Sequence, residues 1–304
     1  MNLAKCMIAI SIGDAPDRGR LGYPQREVDR VLVSICTALV RAGARVVYGG
    51  NLDPSGFTFK IFRHLAQAFA VRGSKPPFVH VIPEPVLRRA NFNDLASTLR
   101  EARGTVETTV ALADERVVTL QPWDETERSR DDAKIRIVPD RASGPDAKID
   151  SGETLQQWLG PARASPIEAF SAARRVMNRL VAGRVVMGGK MGLVDRPSDR
   201  YEGKYPGVIE EAILALQDGQ ALVTLGAFGG AARDLAVTLG LLDDSARVPR
   251  GEQAASYLVA LNEVRELKAR IPSAVRESLS EIAKDDRAEP LSYATVRVLE
   301  RWQV

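Results

Sequence analysis

The stretch RVVMGGKMG, residues 184–192, is an apolar run that breaks into paired glycines, and two other stretches resemble it. RVVYGGN spans residues 45–51, and LVTLGAFGGAARD spans residues 222–234. A short β-rich run that ends in Gly-Gly is typical of a buried strand whose following turn lets a ligand approach the backbone. In parallel α/β sheets such turns all open at the carboxyl edge, where ligands bind. The three runs therefore predict glycine turns that converge on one crevice.

Predicted strands and helices alternate in both halves of the chain. The spacing of apolar residues predicts a strand, a helix, a strand, a helix and a strand at 7–12, 27–42, 45–48, 58–71 and 79–82. The alternation returns as a helix, a strand, a helix, a strand and a helix at 167–180, 184–187, 207–216, 221–225 and 231–239. This pattern predicts an α/β fold with a Rossmann-like, doubly wound, mainly parallel sheet.

The alternation divides the chain into a core and two further segments. Residues 1–82 and 167–242 are predicted to form the core around one shared sheet, because each part alone has too few strands to bury both faces. Residues 83–166 contain a charged run and a loop-like stretch, with strand candidates at 117–120 and 135–138. They are predicted to be an insertion or an elaborated crossover, and an insertion should lie outside that sheet. Residues 243–304 are predicted to be a helical C-terminal extension.

Composition argues against several classes of protein. Lys and Arg number 42 against 39 Asp and Glu, and a net charge of +3 is too small to predict a nucleic-acid or membrane partner. Cys6 and Cys36 both lie in apolar runs, so neither a disulfide framework nor a cysteine zinc site is expected. No apolar run reaches the about 18 residues of a membrane span. These features predict a cytoplasmic protein.

Few residues outside the glycine turns suggest catalysis or metal binding. No GxSxG motif occurs, and Lys190 follows Gly-Gly outside a GxxxxGK[ST] frame. His64 and His80 have no metal-ligating neighbours at the usual spacing, so both are predicted to be structural or surface residues, and no metal or cofactor is expected. Glu210 and Glu211 open a predicted helix, where carboxylates favour the positive end of the helix dipole.

Each glycine turn, taken alone, is open to two interpretations. The turn GAFGGAA, residues 226–232, comes directly after an apolar strand and opens a helix. Its backbone N–H groups could hold a phosphate, or its glycines could simply close a tight turn between strand and helix. Lys190 adds to the first interpretation, because a cation at the sheet edge would meet a phosphate there.

Six motifs resemble those of the SLOG superfamily, and they occur in its order. They are ISIGDAPD, VVYGGNLDPSGFT, ARRVM, VVMGGK, YPGVIEEA and LGAFGGAARDLA, at residues 10–17, 46–58, 173–177, 185–190, 205–212 and 225–236. SLOG proteins are Rossmann-like nucleotide-binding domains related to LOG phosphoribohydrolases, to N-terminal regions of TRPM channels and to sensor domains of TIR-linked, Thoeris-type bacterial defence effectors. The resemblance covers residues 7–82 and 167–242.

The resemblance implies one of two activities. LOG-like enzymes hydrolyse an N-glycosidic bond with a glutamate in a PGGxGTxxE turn, but here Arg233 stands at that position with Asp234 beside it. The defence sensors bind cyclic ADP-ribose-type signals through an arginine, a lysine and a glutamate that match Arg174, Lys190 and Glu210. The leading hypothesis is a binder of an ADP-ribose-like or cyclic nucleotide signal in a bacterial defence or nucleotide-signalling system.

Two rival hypotheses remain open. One is a nucleotide N-glycosidase or phosphoribohydrolase in which Glu210, Glu211 or Asp234 supplies the catalytic carboxylate. The other is an assembly subunit whose C-terminal helices recruit an effector protein.

The leading hypothesis predicts a ligand site at the carboxyl edge of the strands. Phosphates would rest on the turns after Gly188 and Gly229, Lys190 and Arg174 would neutralise them, and Glu210 would hold polar groups of the ribose or base. The predicted site comprises Gly13, Gly49, Gly50, Arg174, Gly188, Gly189, Lys190, Glu210, Gly226, Phe228, Gly229 and Gly230. The expected partners are the nucleotide, an effector protein and further copies of the chain, but neither nucleic acid nor membrane.

Overall fold

The computed structural model describes residues 3–50, 68–69, 75–123, 134–139, 145–248 and 251–302. His64 lies outside the described residues, as does the helix predicted at 58–71 apart from residues 68–69.

Nine strands in the described part of the chain form one sheet in the order β7-β6-β5-β4-β3-β2-β1-β8-β9. Strands β1, β8 and β9 pair in parallel, as do β3 and β4, whereas β4 to β7 form an antiparallel edge. This confirms the α/β fold with its shared, mainly parallel sheet. The strands are Met7–Gly13, Arg45–Gly49, Phe78–Pro83, Val106–Ala111, Val117–Pro122, Ile135–Pro139, Ala147–Ile149, Gly183–Gly188 and Ala221–Leu225, numbered β1 to β9.

Ten helices are present in the same described residues. They are Gln25–Arg41, Glu84–Arg89, Phe92–Glu101, Gly152–Leu159, Pro166–Leu180, Gly207–Gln217, Gly230–Thr238, Ala255–Glu266, Ser273–Lys284 and Ala288–Trp302, numbered α1 to α10. No helix in the described ranges is long and apolar enough to cross a membrane.

The chain forms two compact units, residues 1–46 with 178–304 and residues 47–177. In the first unit, β8 and β9 are buried along their whole lengths, as expected of Val- and Leu-rich parallel strands covered by helices on both faces. Helix α1 has its apolar residues at helical spacing and packs on α10, while α9 packs on β9. The C-terminal helices therefore complete the core of the first unit, and the predicted helical C-terminal segment is present.

The second unit corrects the expectation for residues 83–166. Four strands of this span, β4 to β7, belong to the sheet, so the prediction that it lies outside the sheet is wrong. The strand candidates at 117–120 and 135–138 are confirmed as β5 and β6. Two strands are missed. The short strand β7 lies in the stretch predicted to be a loop, and β4 has the polar sequence VETTVA, in which Thr108 and Thr109 are nevertheless buried. The core of the second unit includes Ile82, Leu95, Val110 and Ile137.

Candidate functional site

The turn after β8 lies directly against the end of β1 in the first unit. Gly13 and Gly188 are register partners, and the Gly189 N–H donates to the Gly13 carbonyl at 2.9 Å. A Cβ on Gly13 would lie 2.9 Å from the Gly189 Cα, and one on Gly188 would lie 2.3 Å from the Gly13 oxygen. These glycines are therefore required by close approach of backbone to backbone, which is the second of the two interpretations of a glycine turn.

The turn after β9 contacts the turn after β8 at Gly188 and Gly189. Gly230 has a φ of +66°, and a Cβ there would lie 2.6 Å from both the Gly188 carbonyl carbon and the Gly189 oxygen. The next residue, Ala231, donates its N–H to the Gly189 carbonyl at 3.1 Å. The structure thus brings together the two glycine turns that the sequence singles out in this unit.

Two helices begin beside Gly189. The Val208 side chain, in the first turn of α6, lies 2.7 Å from the position of a Gly189 Cβ, and the Ala231 Cβ, in the first turn of α7, lies 3.2 Å from it. Helix N-termini carry unsatisfied N–H groups and a partial positive charge. Two positive helix ends therefore flank one dipeptide, Gly188-Gly189, at the carboxyl edge of the sheet.

An internal carboxylate occupies the start of α7. Asp17 is only 4% exposed, and its Oδ1 accepts the Gly230 N–H at 2.7 Å. Its Oδ2 is buried and has no hydrogen-bond partner among the described residues. Asp17 belongs to the ISIGDAPD motif, but nothing in the sequence indicates that the loop after β1 folds back onto α7. Sequence reasoning therefore missed this residue.

The loop after β1, residues 14–24, is held closed over the turn after β9. Arg196 donates to the Pro16 carbonyl at 3.0 Å, and the Tyr23 ring lies 5.0 Å from the Phe228 ring between centroids. The Tyr23 hydroxyl donates to Asp286 at 2.8 Å. Burial, reinforced by this hydrogen bond to a carboxylate, raises the pKa of Tyr23 to about 12. The loop therefore packs on Phe228, which is buried in the short 3-10 turn Gly226–Phe228.

Lys190 lies in the loop between β8 and α6. Its ammonium donates to the Arg200 carbonyl, at an exposed position. Behind it, buried Asp199 accepts the N–H groups of Met191 at 3.1 Å and Leu193 at 2.7 Å. Burial raises the pKa of Asp199, while these N–H donors and the Lys190 charge act in the opposite direction. The lysine is thus at the sheet edge, and Asp199 fixes the backbone that carries it.

The two neighbouring glutamates of α6 have different surroundings. Glu211 turns inward, where its Oε2 accepts from the wholly buried Arg184 at 2.5 Å and from the Ser11 hydroxyl. Sequence reasoning missed this ion pair, because Arg184 appears in an apolar strand with no sign of its partner. Glu210 is also largely buried and lies in the first turn of α6.

Asp234 and Arg233 bind other parts of the first unit. The Tyr257 hydroxyl donates to Asp234 at 2.6 Å, and this carboxylate is wholly buried. Arg233 donates to the carbonyls of Ala246 at 2.6 Å and Gly226 at 3.2 Å. Arg233 thus ties the turn after β9 to Ala246.

The remaining predicted site residues belong to the second unit. Gly49 ends β2, where a Cβ would lie 3.1 Å from the Met177 sulfur, and Gly50 follows it. Arg174 lies on α5. His80 is buried in β3, and this burial lowers its pKa to about 4. The roles of Gly49, Gly50 and Arg174 in ligand binding stay predictions.

Chemically, the edge of the first unit is suited to holding an anion. Among the described residues, no three His, Cys, Asp or Glu side chains lie close enough together to bind a metal ion. The edge carries two helix N-termini, of which that of α7 has its Gly230 N–H bound by Asp17, and one ammonium. Such groups suit a phosphate.

Comparison with known proteins places the chain in one family. No curated protein and no solved structure matches it. A family model described as SLOG cluster2 matches residues 2–258, a range that includes the whole second unit, much of the first unit and the first residues of α8. The chain therefore belongs to the SLOG cluster2 family, whose Rossmann-like fold indicates a nucleotide-related function.

Proposed function

We propose that the protein binds an ADP-ribose-like or cyclic nucleotide signal at the carboxyl edge of β1, β8 and β9. The observation that carries this proposal is that α6 and α7 both begin against Gly188-Gly189. The nucleotide-related family and this doubly positive edge point to the same class of ligand. The proposal includes a role in a bacterial defence or nucleotide-signalling system, with an effector protein and further copies of the chain as partners.

The charges at the edge favour a phosphate over an uncharged ligand. Each helix N-terminus is equivalent to roughly half a positive charge. Lys190 adds a full positive charge, and it directly follows the Gly188-Gly189 pair that the two helix ends flank. A pyrophosphate contains two linked phosphates, so each phosphate could lie at one of the two helix N-termini of this edge.

Lys190 can exchange its present partner for a phosphate. It now donates to the Arg200 carbonyl, a neutral acceptor at an exposed position. A phosphate oxygen is a stronger acceptor for an ammonium, because both groups are charged. Glu210, in the first turn of α6, is the carboxylate that we assign to polar groups of the ribose or base.

The test is to incubate the purified protein with NAD, cyclic ADP-ribose isomers, AMP and cytokinin-type nucleotides. After removal of free ligand and denaturation, mass spectrometry identifies what was bound. Recovery of an intact ADP-ribose-like nucleotide supports the proposal. If none of these nucleotides is retained, the proposal is wrong.

The N-glycosidase alternative now depends on one carboxylate. Asp234 is wholly buried against Tyr257, and Glu211 is paired with Arg184, so neither lies ready to act on a ligand. Glu210 lies in the first turn of α6, at the edge that would hold the nucleotide, and it is the carboxylate to which we assign the catalytic role in this alternative. If the incubation releases free base, Glu210→Gln should slow that release by about 100-fold or more. The exposed Glu252→Gln is the matched control and should keep the parent rate.

A further inference from the structure

Asp17 stands where the proposed function needs a phosphate. Its Oδ1 lies 2.7 Å from the Gly230 nitrogen, at the start of the nine-residue helix α7. It also lies 2.5 Å from the position that a Gly229 Cβ would take, so the carboxylate fills the space above the Gly229-Gly230 turn. A carboxylate and a phosphate cannot share this helix end, because both are anions and both need the same N–H group.

Only one of the two carboxylate oxygens of Asp17 has a hydrogen-bond donor in the described part of the chain. Oδ1 has its donor, whereas Oδ2 is buried and has no hydrogen-bond partner among the described residues. A buried polar atom without a partner loses its hydration and receives nothing in exchange. Release of Asp17 into water would restore that hydration, so the carboxylate is a weaker occupant of the helix end than a fully bonded anion.

The segment that carries Asp17 could move as one loop. Residues 14–24 are fastened by Arg196 at Pro16, and by Tyr23 through its ring at Phe228 and its hydroxyl at Asp286, in addition to Asp17 itself. Arg196 belongs to the same connection between β8 and α6 as Lys190. A ligand that draws Lys190 away from the Arg200 carbonyl therefore acts on the connection that holds the loop closed.

We propose that Asp17 is an internal, displaceable occupant of the anion position of α7, so that a phosphate binds there only when residues 14–24 release. As applied to a nucleotide, this inference rests on the proposed function. The anion position itself should also accept inorganic pyrophosphate, which has no nucleoside. That difference lets one experiment test the two ideas separately.

The experiment measures binding of pyrophosphate and of ADP-ribose by titration calorimetry to the parent and three variants. Asp17→Ala empties the helix end and should bind both probes at least about tenfold more tightly. Asp17→Asn keeps an acceptor for Gly230 without the charge and should fall between Asp17→Ala and the parent. Asp14→Asn removes a carboxylate that is 82% exposed in the same loop, and should stay within about twofold of the parent.

A second measurement uses only the parent protein. Pyrophosphate should speed hydrogen exchange of the amides in residues 14–24, because the loop must open, and should slow exchange at the start of α7. This readout remains decisive if Asp17→Ala does not fold.

The outcomes separate the two proposals. If Asp17→Ala binds both probes no more tightly than the parent, or more weakly, Asp17 is not a competitor and the inference is overturned while nucleotide binding stands. Tighter binding of pyrophosphate with no binding of any nucleotide supports the inference and contradicts the proposed function. If no variant binds either probe, both are wrong.

Discussion

Lys190 is the residue whose charge matters most to the proposed site. It donates to the Arg200 carbonyl at an exposed position, so it contributes little to the buried core. A charge-assisted contact with a phosphate is worth roughly 1.5–3 kcal/mol. We expect Lys190→Ala to weaken ADP-ribose binding by about tenfold to a hundredfold, measured by titration calorimetry. Lys190→Glu should bind more weakly still, because it places a negative charge against the phosphate.

The controls for Lys190 separate affinity from stability. Without ligand, the melting temperatures of both variants should stay close to that of the parent, since no buried contact is lost. Lys284→Ala removes an exposed lysine from the last turn of α9 and should bind like the parent. If Lys190→Ala and Lys190→Glu bind as tightly as the parent, the lysine has no part in the site.

His80 predicts how acid affects the fold. An unfolded histidine takes a proton near pH 6.5, but buried His80 takes one only near pH 4. Between these values the unfolded state binds more protons, so the free energy of unfolding should fall as the pH drops from 6.5 to 4, by up to about 3 kcal/mol. Below pH 4 this contribution should no longer change.

Urea unfolding at a series of pH values measures this effect. His80→Leu should be less sensitive to acid than the parent between pH 6.5 and 4, because no imidazole is left to protonate. An equal loss of stability in both proteins over this window would show that other groups cause it. With the fold intact at neutral pH, the same variant should keep nucleotide binding, because we assign His80 no part in the site.

At the scale of elements, the contact between the turns after β8 and β9 can be tested with two glycines of nearly equal φ. Gly230, at +66°, would place a Cβ 2.6 Å from backbone atoms of Gly188 and Gly189. Gly219, at +68°, would place a Cβ in open space. Gly219→Ala should therefore cost only the strain of its conformation, about 1–2 kcal/mol. Gly230→Ala should cost at least about 2 kcal/mol more, because one turn must move away from the other.

Denaturant unfolding of the two alanine variants gives that difference directly. Equal losses of stability would mean that the turns are not in contact in solution. A larger loss of stability in Gly230→Ala than in Gly219→Ala, together with weaker nucleotide binding by Gly230→Ala alone, would link the contact to the site.

The elements differ in how far the sequence predicts them. Strands β1, β8 and β9 are predicted because each is an apolar run that ends at glycine or a polar turn. Strand β4 is missed because its two central residues are threonines, although both are buried in the sheet. For the site, the glycine turns are visible as repeated patterns. The contacts of Asp17 with Gly230 and of Arg184 with Glu211 are not, because a sequence does not show which distant polar residues meet when a loop folds back.

At the scale of the whole molecule, ligand contacts at the carboxyl edge of the sheet should stabilise the first unit against unfolding. We expect ADP-ribose to slow hydrogen exchange at residues 188–190, 207–210 and 230–234, because the helix ends and Lys190 gain acceptors there. At a concentration 100 times its Kd, the ligand should raise the free energy of unfolding by about 2.7 kcal/mol. Adenosine, which has no phosphate, is the matched control and should give neither effect. Equal effects of the two compounds would show that the phosphates do not contribute.

The packing of α10 on α1 has a consequence for how the chain is synthesised. Ser34 and Ser292 lie 3.0 Å apart between their hydroxyl oxygens, although 258 residues separate them in sequence. During translation, the apolar face of α1 leaves the ribosome long before α10 exists to cover it. Contacts between such distant residues form slowly, and an exposed apolar face is prone to aggregation. Chaperones that bind nascent chains should therefore associate with residues 25–41 until α10 has been made.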